Sequence, residues 1–201
     1  MNPDREPASL PSPDSSRPSG VTRRVLSWLL LAAGAGLLLY TGGQYWRMFS
    51  RQQQMEVQWQ RQQAAPASPG LAGPALTRLQ IPKINLDAIV AEGTSRQQLL
   101  EGPGHLEHTA LPGERGNAVI TAHRDTFFRH VFELEVGDEI VVQRHGRSFR
   151  YEVTGKKVVK PEDVSVIAPS SEAKLTLITC YPPNYIGPAP ERLAVFAKLR
   201  N

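Results

Sequence analysis

The chain has 201 residues, of which 40% are hydrophobic and 21% are charged. The part from residue 77 onward has the length and mixed composition of one folded domain. Its 16 Lys and Arg are balanced by 15 Asp and Glu, so the net charge of +4 does not concentrate there and a nucleic-acid partner is not expected. A single cysteine excludes a disulfide within the chain, and a free thiol is predicted.

The amino-terminal segment is predicted to be a disordered tail over residues 1–24. Proline and serine are frequent in it and apolar side chains are few, so it lacks the material for a packed core. The next segment, residues 25–46, contains no charged side chain and is rich in leucine. It is long enough to cross about 30 Å of hydrocarbon as a helix.

A cleaved signal peptide is the alternative interpretation of residues 25–46. Its apolar region would normally be shorter, about 7–15 residues, and followed by a small-residue cleavage site. We therefore expect an uncleaved, single-pass membrane anchor. Arg23 and Arg24 stand directly before it, which favours a cytoplasmic amino terminus and a domain outside the cytoplasm. Residues 47–76, rich in Gln, Ala and Pro, are predicted to form a stalk and a flexible spacer.

The domain over residues 77–201 is predicted to be mainly β. Apolar and polar residues alternate with the period of half-buried strands, and Gly and Pro separate the segments. Ser95 is a plausible N-cap for one short helix ending at Glu101, and residues 127–134 are a second helical candidate. Many short strands with few helices indicate a small barrel or sandwich. The strand candidates lie near residues 86–90, 116–121, 139–143, 149–153, 174–180 and 192–199.

Cys180 ends an apolar strand candidate and precedes Tyr181 and two prolines, which cannot continue a central strand. Its thiol is therefore expected at the rim of a sheet. A lone cysteine is often a small buried apolar residue. An oxidising compartment outside the cytoplasm selects against an idle thiol, and a base candidate exists elsewhere in the sequence, so a nucleophile is favoured instead. That candidate is His123, which also ends an apolar strand; an adjacent imidazole activates a thiol and can later protonate a leaving amine.

Arg192 begins the last strand candidate, 12 residues beyond Cys180. If the two strands are neighbours, its guanidinium can stabilise an oxyanion near the thiol; a solvated surface arginine is the alternative. His105, His108, His130 and His145 are expected to be exposed. No spacing of ligands indicates a zinc or calcium site, and no metal or other cofactor is expected.

Four blocks of the domain resemble the sortase family, and most closely its class D group. Their order, with a histidine first, then Thr-Leu-x-Thr-Cys, then an arginine, is specific to that family, and the anchor and spacer fit its usual layout. The blocks are Thr109–Asn117, Ala122–Phe128, Thr176–Pro182 and Ala189–Arg192.

The resemblance implies a closed eight-stranded sortase-type β-barrel and a Cys180, His123 and Arg192 site that cleaves a Leu-Pro-x-Thr-Gly-like sorting signal. It implies Thr179 and Asp125 as residues that contact or support the substrate. An acyl-enzyme thioester would be resolved by an amine, such as that of a peptidoglycan precursor or a pilin-like subunit, so that a surface protein is joined to its acceptor. The alternatives are a membrane-bound cysteine peptidase that uses water, and a tethered binding domain with an inert thiol.

Overall fold

The computed structural model describes residues 20–64 and 76–200. Residues 1–19 of the predicted tail and most of the predicted spacer, residues 65–75, lie outside the described residues. One long helix, α1, covers Gly20–Ala64; it includes residues 20–24 of the predicted tail, the apolar segment and the Gln-rich stretch. The chain divides into two compact units between Gln44 and Tyr45.

In the first unit, α1 presents large apolar side chains on all sides. Leu29, Leu31 and Leu38 are 61%, 63% and 73% exposed. By length and composition, the helix from Arg23 to Gln63 can cross a membrane. A helix that is apolar all round is typical of a membrane span or of a fully buried core helix, and the apolar window of this helix is 0% buried within the described residues.

The second unit contains a barrel whose strands follow the predicted alternation. Buried and partly exposed residues alternate along β1, for example, because successive side chains point to opposite faces of a strand. The strands are β1 (Thr77–Ile81), β2 (Leu86–Glu92), β3 (Gly104–His105), β4 (Gly116–Thr121), β5 (Glu139–Arg144), β6 (Arg147–Val159), β7 (Ala173–Tyr181) and β8 (Glu191–Leu199).

The eight strands close into one barrel in the order β1-β2-β3-β4-β7-β8-β6-β5, which confirms the expected fold. Two neighbouring pairs, β2 with β3 and β4 with β7, are parallel, and the others are antiparallel. Because β4 and β7 run side by side in the same direction, their carboxyl ends emerge together at one end of the barrel. The same end receives the start of β8.

Short helical segments lie between the strands. The helix α2 (Arg96–Glu101) begins at Ser95, as predicted; the Ser95 hydroxyl accepts from Gln98 N–H, and the Gln98 side chain accepts from Ser95 N–H. This reciprocal capping satisfies two amide groups that a helix start leaves unpaired. The second predicted segment contains only a 3₁₀ turn at Val131–Glu133.

A continuous apolar core fills the barrel. Its fully buried members come from six of the strands and from the turn after His123, and they include Leu79, Ile120, Phe128, Tyr151 and Leu177. Two strands, β1 and β3, are absent from the predictions. Strand β3 has only two residues, too few to show any alternation, and β1 ends against Pro82 after two apolar positions.

Candidate active site

His123 and Cys180 follow paired positions on two neighbouring strands. In the parallel ladder Thr121 is opposite Ile178, and Ala122 N–H donates to Ile178 O at 3.3 Å. Neighbouring strands lie about 4.8 Å apart. The register therefore brings the backbones of His123 and Cys180 together at one end of the barrel, where both side chains are half-buried.

Thr179 strengthens this junction. Its hydroxyl donates to Ala122 O at 2.8 Å, so the residues just before Cys180 and His123 are joined directly. Thr179 is only 4% exposed. Its hydroxyl therefore holds the two strands together, whereas its predicted contact with substrate stays a prediction.

Arg192 is directly opposite Cys180 in the antiparallel pairing of β7 with β8. Residues opposite each other in such a pair project to the same face, with Cβ atoms about 4.5–5.5 Å apart. Arg192 is half-buried, and its Nη1 donates to Ala189 O at 3.2 Å and to Glu191 O at 2.9 Å. The structure thus brings Cys180, His123 and Arg192 to the same barrel end.

The three side chains are not yet joined by hydrogen bonds. Within residues 20–64 and 76–200, no hydrogen bond connects Cys180 Sγ with the His123 ring or with Arg192. Catalytic hydrogen bonds are often long without substrate and shorten when it binds. A thiol, an imidazole and a guanidinium therefore share one end of the barrel, and their convergence on a substrate carbonyl group stays a prediction.

Asp125 lies in the loop after His123 and is exposed. It borders an open cavity of about 370 Å³ between this loop, the β1–β2 turn and α1. Ile84, Phe127 and Met48 contribute from these three elements. Asp125 is therefore near the candidate site but on the flank of His123, and its predicted role toward substrate stays a prediction.

One functional candidate that the sequence did not reveal is Arg124, between His123 and Asp125. Its guanidinium binds carbonyl groups of the loop that follows Cys180. In the sequence it is one half of a polar Arg-Asp pair, and no pattern there identifies backbone carbonyls as partners. Only the approach of the two loops in the fold reveals the contact.

His105 corrects the expectation that the remaining histidines are exposed. It is 4% exposed because β3 forms part of the barrel wall between β2 and β4. Its Nδ1 lies 2.9 Å from both carboxylate oxygens of Glu92, and its Nε2 lies 2.9 Å from Ala110 O. These contacts join β2 to the loop after β3, away from Cys180. In the described part of the chain, no three His, Cys, Asp or Glu side chains form a cluster suited to a metal.

A comparison with protein families decides the assignment, because the Sortase domain matches residues 79–200. The chain belongs to the sortase family. The match covers the whole barrel except the start of β1.

Sequence similarity to individual sortases supports the assignment to this family. The chain is 40% identical to Sortase D of Bacillus subtilis over 127 residues, covering 63% of this chain and 64% of that protein. It is 30% identical to Sortase SrtE1 of Streptomyces coelicolor, covering 81% and 53% respectively. The chain thus spans between half and two thirds of the length of these sortases. The first match is in line with the expected likeness to class D sortases.

Solved sortase structures share the barrel. A Sortase D5 transpeptidase of Clostridium perfringens has a TM-score of 0.58 at 33% identity, covering 63% of this chain and 79% of that one. A lid mutant of Sortase A from Corynebacterium diphtheriae has a TM-score of 0.60 at 34% identity, covering 66% and 74%. The sortase fold and family are therefore established for the domain that carries Cys180.

Proposed function

We propose that this sortase is a membrane-anchored transpeptidase that cleaves a Leu-Pro-x-Thr-Gly-like sorting signal and transfers the protein to an amine. The observation that carries the proposal is the strand register around Cys180. Across β7 and β8 it faces Arg192, and it follows Thr179, whose hydroxyl bonds Ala122 O beside His123. This register supports the proposal because it places a thiol, an imidazole and a guanidinium at the same end of the barrel.

In the first half-reaction, the Cys180 thiolate attacks the threonyl carbonyl carbon of the sorting signal. The carbonyl oxygen becomes an oxyanion, and Arg192 is the proposed donor to it. When the C–N bond breaks, the His123 imidazolium gives its proton to the leaving amine. The product is a thioester between the peptide and Cys180.

In the second half-reaction, an amine attacks the thioester carbonyl, and neutral His123 accepts the proton that this amine loses. The C–S bond then breaks, Cys180 leaves as a thiolate and a new amide forms. The proposed donors are surface proteins that carry a sorting signal. The proposed acceptors are amines of a peptidoglycan precursor or a pilin-like subunit.

The proposed location is the cell membrane, with one crossing by the apolar part of α1, about residues 25–46. Its long uncharged and exposed surface supports this placement. Arg23 and Arg24 before the apolar segment favour a cytoplasmic amino terminus and a catalytic domain outside. No cofactor enters the proposed chemistry.

The transfer reaction can be tested with the full-length chain in detergent. A sorting-signal peptide is incubated with and without a glycine-peptide acceptor, and the products are separated by mass. We expect a transfer product with the acceptor. Cys180→Ala abolishes it, and His123→Ala lowers the rate about 10²–10⁴-fold, the usual contribution of a general acid-base group.

His145→Asn is the matched control. His145 is exposed in the β5–β6 turn with a positive φ of 50°, a conformation that asparagine tolerates well. The His145→Asn variant should retain the transfer rate of the parent chain. Free acid as the only product, even with added amine, would indicate a peptidase. Equal products from the parent chain and Cys180→Ala would refute thiol catalysis.

A further inference from the structure

The segment after Cys180, residues 182–190, is a largely exposed loop with a turn at residues 183–184, and we refer to it as the post-cysteine loop. It joins β7 to β8, and Ile186 within it is 98% exposed. Among the described residues, no backbone–backbone hydrogen bond outside the helices and strands involves residues 182–190. Hydrogen bonds from side chains of other segments therefore hold this loop in place.

Arg124 supplies most of that support. Its Nη1 donates to Pro182 O at 3.0 Å, and its Nη2 donates to Tyr185 O at 2.7 Å and to Gly187 O at 3.0 Å. The guanidinium carbon also lies 5.9 Å from the centre of the Tyr185 ring. In the described chain, the other side chain that bonds this loop is Arg192, through Ala189 O. The planar Arg124 guanidinium thus binds three carbonyl groups within the six residues 182–187.

The position of Arg124 gives these contacts their significance. It follows His123 directly, whereas Pro182 is two residues beyond Cys180. The Arg124 side chain thus connects the backbone beside the proposed base to the backbone beside the proposed nucleophile. A lysine can supply only a compact point charge, whereas the fork of arginine reaches several acceptors at fixed angles.

We propose that Arg124 is a positioning residue for the transpeptidation proposed above, on which this inference rests. It fixes the post-cysteine loop as one wall of the substrate cleft and keeps His123 in register with Cys180. Arg124 itself touches neither the thiol nor the reacting carbonyl. Since a misplacement of about 1 Å can cost about 100-fold in rate, its loss should impair the chemical step more than substrate binding.

Arg115 offers a matched control at the opposite end of the same strands. It precedes β4, and its Nε and Nη2 donate to Ser171 O, before β7, at 3.3 and 3.2 Å. It therefore makes the same kind of contact, from arginine to backbone carbonyl, between the segments that precede β4 and β7, at the end of these strands far from Cys180. Arg115→Gln removes this contact and leaves the candidate site intact.

The experiment compares full-length Arg124→Gln, Arg124→Lys and Arg115→Gln in detergent. We measure kcat and KM for a sorting-signal peptide, thermal unfolding, and the rate at which chymotrypsin cleaves the folded chain after Tyr185 in the post-cysteine loop. Arg124→Gln should lower kcat by about 10–100-fold, change KM much less, and speed cleavage after Tyr185. Arg124→Lys should be intermediate, and Arg115→Gln should match the parent in kcat and in loop cleavage.

The proposal is overturned if Arg124→Gln retains a kcat and a rate of loop cleavage like those of Arg115→Gln. It is also overturned if Arg124→Gln changes only the fraction of folded protein, with kcat per titrated Cys180 unchanged. If Arg124→Gln does not fold, the same measurements on Arg124→Lys replace it. A kcat and a loop cleavage rate equal to those of the parent would then refute the positioning role of Arg124. A parent chain without transfer activity refutes the proposed function, whereas the rate of loop cleavage then decides separately whether Arg124 fixes the loop.

Discussion

Tyr151 is a buried phenol whose oxygen has one defined partner. It is fully buried in the barrel core, and Gly113 N–H donates to its oxygen at 2.7 Å. Burial raises the pKa of the Tyr151 phenol, and the hydrogen bond from Gly113 opposes this rise. The folded chain therefore holds the phenolic proton more tightly than the unfolded chain does.

Tyr151→Phe should destabilise the barrel at neutral pH by about 1–3 kcal/mol, because Gly113 N–H loses its partner. The raised pKa also predicts a pH effect. The contribution of Tyr151 is fully present below the unfolded pKa of about 10 and is lost as pH rises through the folded pKa. Unfolding free energy should therefore fall more steeply above about pH 10 in the parent than in Tyr151→Phe.

Chemical unfolding monitored from neutral to strongly alkaline pH measures both effects. Tyr185→Phe is the control, since Tyr185 is 47% exposed and its phenolic oxygen has no hydrogen-bond partner among the described residues. It should follow the parent curve. Parallel alkaline curves for the parent and Tyr151→Phe would show that Tyr151 does not carry the pH dependence.

At the scale of elements, the second part of α1 packs on the barrel. Gln52 Oε1 accepts from Ile89 N–H at 3.1 Å, and its Nε2 donates to Ile89 O at 3.2 Å and Glu101 O at 3.0 Å. Strand β3 pairs with β2 only at Ala91 and Glu92, so the backbone of Ile89 on that edge has no strand partner. The Gln52 carboxamide therefore binds the N–H and C=O groups of Ile89 that a neighbouring strand would otherwise bind.

Trp59 and Arg78 extend the same contact along the helix. Trp59 is 9% exposed, and the Arg78 guanidinium lies 4.9 Å from its ring centre. Arg78 also binds Glu56 at 2.9 Å and Asp87 at 2.7 Å. Aromatic packing and paired charges therefore join the helix to β1 and β2, so residues 45–64 are part of the folded unit.

Gln52→Ala should lower the unfolding free energy by about 1–3 kcal/mol, because it leaves the partly buried Ile89 amide without a partner. Gln53→Ala removes an exposed neighbour on the same helix and should change stability by less than about 0.5 kcal/mol. Thermal unfolding in detergent and hydrogen exchange at Ile89 measure the difference. Equal unfolding temperatures and equal Ile89 protection in both variants would refute the contact.

The same elements explain how much could be predicted from the sequence. Six strands and the capped helix α2 follow from local alternation and turn residues. Strand β3, the burial of His105 and the packing of Gln52 do not, because each depends on a partner distant in sequence. At the candidate site, Cys180, His123 and Arg192 could be selected by residue type and order. The hydrogen bonds of Arg124 go to backbone oxygens, which no sequence pattern identifies.

For the whole molecule, the proposed topology predicts which parts are accessible from outside the cell. Because Cys180 is the only cysteine, Cys180→Ala provides a background for single reporter thiols. Ser148→Cys, at an exposed position of the barrel, should react with a membrane-impermeant maleimide on intact cells. Ser9→Cys, before the span, should react only after permeabilisation. The reverse pattern would contradict a cytoplasmic amino terminus.

In the proposed reaction Cys180 carries the acyl group between donor and acceptor. The most direct measurement is the intact mass of the full-length chain after brief incubation with a sorting-signal peptide and no amine. We predict a mass increase equal to the peptide up to its threonine, located on Cys180 and removed by adding an amine. A parent chain that turns over the peptide without this adduct, or an adduct that persists in Cys180→Ala, would contradict the account.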